Sequence, residues 1–365
     1  MSKTVVTFGE VMGRIAPAGF QRFLQVLPGS VEFTYGGGEA NVAVSLAMLG
    51  ADAAFVTALP KNAIADACVN CMRGLGVDTG KIVRTSGGRL GLYYLESGAN
   101  QRASNVIYDR EHSSIMDTPA SAYDWASIFA GAGWFHVTGI TPALSANAAE
   151  ATLAAVKAAK AAGLTVSCDL NFRKKLWNWK SGTKSQQLAE ETMRGILPYI
   201  DLVIANEEDA EKVLGIHAEG TDVESGQLNV AAYQDVAAQI VAQFPNVRYV
   251  AITLRESISA SHNNWGGMLY DAAGKQAYFA PLDAAGTYTP YEIRDIVDRV
   301  GGGDSFGAGL IFALTSDTMN DPASAIRFAV AASCLKHSIL GDFNYVTRAE
   351  VEALMGGSAS GRVNR

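Results

Sequence analysis

The sequence predicts an α/β protein with a mostly parallel central sheet wrapped by helices and a small separate sheet attached to it. Three observations carry that prediction. Short apolar runs rich in β-branched residues alternate with Ala-rich stretches of helical period along most of the chain, the pattern of strands buried on both faces between helical layers. Two segments, 11–35 and 89–110, break the alternation with strand-like patterning and no helical run inside them. The composition also allows a large core: of 365 residues, 48% are hydrophobic and 18% charged, which excludes general disorder.

Taken in order, buried strands are expected at 5–8, 54–57, 134–137, 165–169, 202–205 and 249–253. Residues 39–49 read as a helix, because Val42, Leu46 and Leu49 share a face and Gly50 supplies the stop. Residues 145–162 are nearly all good helix formers and run into Gly163. In the two irregular segments, Leu90, Leu92 and Tyr94, then Val106 and Tyr108, recur at strand spacing. Such pieces cannot join a parallel sheet through short links, so they are expected to project as a lid and to offer a dimer surface. Residues 218–229 are polar and aperiodic and read as a surface loop.

The net charge of -7 gives no support for a nucleic-acid surface, while local arginines can still hold a small anionic substrate. Four cysteines, Cys68, Cys71, Cys168 and Cys334, are too few for a disulfide scaffold and point to a reducing compartment. Cys68 and Cys71 form a CxxC with no second pair or histidine cluster, so they read as reduced thiols on a helix. No run approaches the ~20 apolar residues of a membrane span, and the start lacks the longer apolar stretch of a signal peptide. The expected location is the cytoplasm, with no membrane partner.

The most informative segment is DRVGGGDSFGAGLIFAL, residues 298–314. Gly301, Gly302 and Gly303 run directly into a helix on which Phe306, Leu310, Ala313 and Leu314 fall on one side. Glycines there let backbone N–H groups converge, and the positive end of the helix dipole adds to them, making an anion site suited to phosphate. A carboxylate at Asp304 would repel phosphates unless it has a task beside a transferring group. That task is to orient an attacking alcohol and take its proton, while N–H donors and Mg²⁺ absorb charge on the phosphoryl oxygens. A tight turn with a capping Asp explains the same residues without chemistry. The P-loop pattern is absent from the chain, and the first strand lacks the GxGxxG of a nicotinamide-dependent oxidoreductase. A second cluster, Gly36, Gly37 and Gly38, opens the early helix. Its backbone can approach a polyol closely, with Asn41 offering donor and acceptor; a capped helix start is the alternative.

GGGEANVAVSLAMLG (36–50) and DRVGGGDSFGAG (298–309) resemble the two signature motifs of the ribokinase-like (PfkB) carbohydrate kinases, in the same order and at a similar separation. Between them, DLNFR (169–173) resembles the D-x-N-x-R of that family's 2-keto-3-deoxygluconate kinases, and NEED (206–209) resembles its N-x-x-E. The similarity spans roughly residues 5–354. It implies one kinase domain over 1–365, a three-layer α/β/α fold with a β-sheet lid, ATP and Mg²⁺ as cofactors, and room for a monovalent cation such as K⁺. It implies Asp304 as the base and the N–H groups of Gly301 to Asp304 as the anion hole. Asn206 and its neighbouring acids would place Mg²⁺, Asp209 acting through water, and Thr253 to Arg255 would lie along ATP. Two residues depart from the family pattern: Asp209 stands where Glu is usual, and Arg255 where Gly is common.

A sugar acid needs a cation for its carboxylate, and bidentate Arg is the usual solution; the candidates are Arg110 and Arg173. Tyr108 and Arg110 resemble the Tyr-x-Arg that embraces the acid in ketodeoxygluconate kinases, Tyr93 resembles a substrate-contacting lid tyrosine, and Asp342 a late acid that meets substrate hydroxyls. The first strand runs into GEVMGR (9–14), without the Asp that many ribose and fructose kinases carry there, and Arg14 adds a third cation nearby. The expected reaction is ATP-dependent phosphorylation of the terminal hydroxyl of 2-keto-3-deoxygluconate. Alternatives are another keto-deoxy acid, a neutral sugar such as fructose, and a non-catalytic sugar-binding protein on the same fold.

Overall fold

Six strands lie side by side and parallel, in the order Ala53–Val56, Thr4–Phe8, Ala132–Thr138, Thr165–Asp169, Leu202–Ala205 and Tyr249–Ser259. Five of them contain one of the six expected runs, and the sixth, Ala53–Val56, covers the run at 54–57 except Thr57. A computed structural model of the chain describes residues 3–206, 208–216 and 230–357; the expected loop at 218–229 lies outside them. Because strand side chains alternate, Val6 and Phe8 join one core cluster and Val5 the opposite one. The first cluster is closed by the helix Ala146–Ala161, capped by the Ser145 side chain on the Ala148 N–H. The second is closed by Gly302–Thr315 and Pro322–Lys336, whose Phe306, Leu310 and Phe328 are fully buried. The early helix, Gly38–Leu49, ends at Gly50 in the left-handed conformation, as the stop signal requires.

The main sheet is larger than the sequence suggested. The Tyr249–Ser259 strand runs on past Thr253 into an antiparallel hairpin with His262–Asp271, which pairs in turn with Gln276–Ala280 and Tyr291–Ile293. The segment beyond Leu254 leaves the helix-covered core and is mostly exposed, so its polar residues carried no apolar-run signal.

The lid is a four-stranded sheet in the order Glu32–Gly36, Met12–Ala16, Gly91–Glu96, Asn105–Asp109, drawn from the two irregular segments. Its outer pairs are antiparallel; its inner pair, Met12–Ala16 with Gly91–Glu96, is parallel. Contrary to the helix-free reading of 11–35, a single turn at Phe23–Val26 interrupts it, held by the Arg22 N–H donating to Gln25 Oε1 at 2.8 Å and the Gln25 N–H donating back to the Arg22 carbonyl at 2.9 Å. The CxxC lies on the helix Ala63–Gly74, where burial pushes the Cys68 thiol up to about 12; all four cysteines are free thiols. Among the described residues no helix is long and apolar enough to cross a membrane.

Candidate active site

The carboxyl ends of the parallel strands open on one cavity of about 400 Å³, reached by Asp169, Ala205 and Thr253 from three adjacent strands. Open parallel sheets bind ligands at this edge, where helix N-termini also point. The lid closes one end through Met12, Tyr93, Val106 and Tyr108, and the long hairpin forms the other through Arg255, Asn263 and Trp265.

The two glycine clusters meet at the middle of the cavity. Gly301 caps the Gly302–Thr315 helix at φ +84°, and a side chain there would strike the Asp342 carbonyl, so only glycine allows the turn. The turn leaves Gly301, Gly302 and Gly303 on the cavity wall, with Asp304 in the first helical turn. The Asn41 side-chain N–H donates to Asp304 Oδ2 at 2.7 Å, and Asn41 Oδ1 accepts the Gly37 N–H at 3.2 Å. Residues 263 positions apart are thereby locked together. Asn41 was expected to touch the sugar; it lines the cavity, but both of its polar ends also serve to aim Asp304. Burial pushes the Asp304 carboxyl up to about 6, the Asn41 hydrogen bond opposes this, and the Asp342 charge adds to the rise. A carboxylate ionised at neutral pH yet more basic than usual suits the acceptance of an alcohol proton.

Beside Asp304 stands the 169–173 loop. Asp169, raised well above its ordinary value by burial and by the Asp209 and Asp304 charges, lines the cavity together with Asn171 and Arg173. Asn171 is held at φ +37° by Asp169, which accepts its backbone and side-chain N–H groups; its own Oδ1 is buried without a partner. The D-x-N-x-R motif is the local sequence signal for Asp169 and Asn171, whose place on the cavity wall only the fold shows. Arg173 is exposed on the cavity wall, donates to the Phe172 carbonyl, and forms no ion pair among the described residues.

Asp209 is buried and lines the cavity: one oxygen accepts from the Phe172 N–H at 2.9 Å, the other from the Asn206 N–H at 3.0 Å. It ties the 169–173 loop to the 206–209 turn, whose Asn206 Oδ1 accepts the Glu208 and Asp209 N–H groups. Glu207 lies outside the described residues. Asn206, Thr253 and Arg255 line the cavity toward the hairpin, joined by Arg299, which donates to the Ser259 and Ala260 carbonyls. The residues present fit a magnesium ion carried by a nucleotide: Asp169 faces the cavity as an acid crowded by the Asp209 and Asp304 charges, Asn206 lines the same wall, and such ions take one or two carboxylates plus waters and phosphate oxygens.

At the lid end, Asp342 accepts hydrogen bonds from Tyr93 and from Arg14 Nη1, the latter at 2.9 Å. Arg14 Nη2 reaches Asp298 at 2.6 Å. Arg14 is therefore consumed: although burial opposes its charge, Asp298 and Asp342 hold the guanidinium protonated, and it does not reach the cavity wall. Arg110 also differs from expectation. It is buried, paired with Glu10 and stacked over Tyr108 with 5.2 Å to the ring centroid, and it stands behind the wall. Gly36 too is off the wall; a side chain there would collide with the Asp342 carboxylate. Gly37, Tyr93, Tyr108 and Asp342 do line the cavity. Of three expected cations, the structure leaves Arg173 facing the cavity without an acidic partner.

Residues 2–254 match the model of the pfkB family carbohydrate kinases. The chain belongs to that family. The matched residues end before Asp304, but whole-length relatives cover the remainder. A crystal structure of 2-dehydro-3-deoxygluconokinase from Thermotoga maritima superposes with a TM-score of 0.87 at 44% identity, over 98% of this chain and 99% of that one. A 2-dehydro-3-deoxygalactonokinase of Haloferax volcanii is 30% identical over 99% of both chains. Fructokinase-1 of Oryza sativa is 26% identical over 97% of this chain and 98% of its own length. This pfkB chain is thus a carbohydrate kinase close to the 2-dehydro-3-deoxygluconokinases, with a ribokinase-like fold, and membership implies ATP as the phosphoryl donor.

Proposed function

We propose that the protein transfers the γ-phosphoryl of ATP to the terminal 6-hydroxyl of 2-keto-3-deoxygluconate, giving the 6-phosphate and ADP. The observation that carries the acid substrate is Arg173, a cavity-facing guanidinium without an acidic partner, 131 positions before Asp304 in the chain yet acting on its charge. The sugar lies under the lid, its hydroxyls toward Tyr93, Gly37 and Asp342, and its carboxylate toward Arg173. The terminal hydroxyl then faces Asp304. As the hydroxyl oxygen bonds to the γ-phosphorus, the bond from phosphorus to the β-bridging oxygen breaks and the proton passes to Asp304 Oδ. The N–H groups of Gly301, Gly303 and Asp304 receive the charge of the phosphoryl oxygens; the Gly302 N–H, also expected there, donates to the Arg299 carbonyl at 3.3 Å. Magnesium, carried by the nucleotide, supplies further charge neutralisation when bound; Asp169 and Asn206 are the residues to hold its waters, and Asp209 supports both through the backbone.

The neutral-sugar reading has one observation in its favour: Arg14 and Arg110 are neutralised by acids, so of the three arginines expected to read the acid Arg173 alone lines the cavity. Release of ADP measured with the gluco and galacto keto-deoxy acids and with fructose, in K⁺ and in Na⁺, separates these. Preference for the keto-deoxy acids is expected, and a strong preference for fructose refutes the assignment. We further place the protein in the cytoplasm as a homodimer through the lid, where Leu24, Phe33 and Ile107 are 91%, 46% and 54% exposed; sedimentation of an L24D/I107D variant as monomer would support that interface.

A further inference from the structure

The helix Pro322–Lys336 ends directly behind the anion loop, and its last residue, Lys336, is fully buried. Burying an ammonium is costly, and three N–H donors need partners. Here one is met by the Ile339 carbonyl at 3.0 Å, and no carboxylate lies within ion-pair distance among the described residues. The side chain runs beneath Gly301: a Cβ on that glycine would sit 3.3 Å from Lys336 Cε. Its charge is felt by Asp298, Asp342 and Asp304. Arg14 bridges the first two of these and leaves them one negative charge in excess, immediately behind amides that must receive a phosphate. A methionine would fill the same space more cheaply, so the charge itself has a task.

We propose that Lys336 is a positioning residue for phosphoryl transfer: its ammonium, fixed behind Gly301, cancels the excess charge of Asp298 and Asp342 and keeps the glycine loop attractive to a terminal phosphate. The inference rests on the phosphoryl-transfer reading of the site but not on the identity of the sugar. A second consequence concerns Asp304, which is faced by Asn41, Asp169, Arg173, Asp342 and Lys336; of these, the Asn41 hydrogen bond and the Arg173 and Lys336 charges favour its ionised form.

The test compares K336M with the charge-compensated double variant D298N/K336M, reading ATP affinity by calorimetry without sugar, then kcat and the acid limb of the pH profile. K336M is expected to weaken ATP by about tenfold or more and to move the acid limb upward by about half a unit. The double variant, with the local charge again balanced, is expected to regain ATP affinity to within about threefold of wild type. A folded K336M with wild-type ATP affinity and an unmoved limb overturns the proposal, as does a double variant no better than the single one. Should K336M alone fail to fold, the double variant still decides, because a merely structural lysine would leave it equally impaired. Wild-type protein that binds ATP but ignores every keto-deoxy acid would remove the substrate assignment and leave this proposal standing.

Discussion

Asp304 offers the most direct test of the mechanism, because its environment sets both a rate and a stability. With its carboxyl at about 6, roughly 90% is ionised at pH 7 and roughly 10% at pH 5. kcat/KM is therefore expected to be flat above pH 7 and to fall about tenfold per pH unit below 6. D304N removes the proton acceptor while keeping the partner of Asn41, and is expected to cost about 10² to 10⁴ in kcat with ATP binding largely retained. The stability effect has the opposite sign. A carboxyl raised from 3.8 to about 6 in the folded chain binds more protons folded than unfolded across that window, so stability falls as pH rises through it. Above pH 6 the ionised group costs up to about 3 kcal/mol. D304N should relieve much of this and raise Tm by a few degrees at pH 7.5, but not at pH 4. Coupled detection of ADP between pH 4.5 and 8, with thermal melts at both pH values, measures both effects. Near-normal turnover by D304N, or a profile flat down to pH 5, would refute the role of Asp304.

Two further outcomes concern the sugar's contacts. R173A is expected to lower kcat/KM for a sugar acid by about 10- to 150-fold, the worth of a charge-assisted contact, and for a neutral sugar by about threefold or less; equal losses would show that Arg173 does not read charge. G36A places a methyl 2.0 Å from Asp342 Oδ2 and must displace it. The sugar KM should rise while the ATP KM stays within about twofold, with a destabilisation of about 1–3 kcal/mol in a denaturant titration; an unchanged sugar KM would remove Asp342 from the substrate's contacts.

Much of the fold could be read along the chain because its signals are local. Six apolar runs became the six parallel strands, and the caps at Ser145 and Gly50 fell where side-chain chemistry and backbone freedom placed them. The outer hairpin was missed because its first strand turns polar and exposed beyond Leu254, while in its second strand, buried over 265–270, Gly266 and Gly267 interrupt the apolar run. At the site, Asp304, Gly301 to Gly303 and Asn41 stood out as local motifs, and the structure brings them to one wall.

By itself the sequence determined the layered architecture, the lid, and a glycine turn with a carboxylate at a helix mouth, since each depends on neighbouring residues and their periodicity. Which charges remain available was decided only by the tertiary structure. Three arginines looked equivalent in the sequence, yet folding set Arg14 against Asp298 and Asp342, set Arg110 against Glu10, and left Arg173 at the cavity. Pairing between side chains as far as 328 positions apart is a property of the packed core, where a buried charge must find its partner, and no local pattern encodes it.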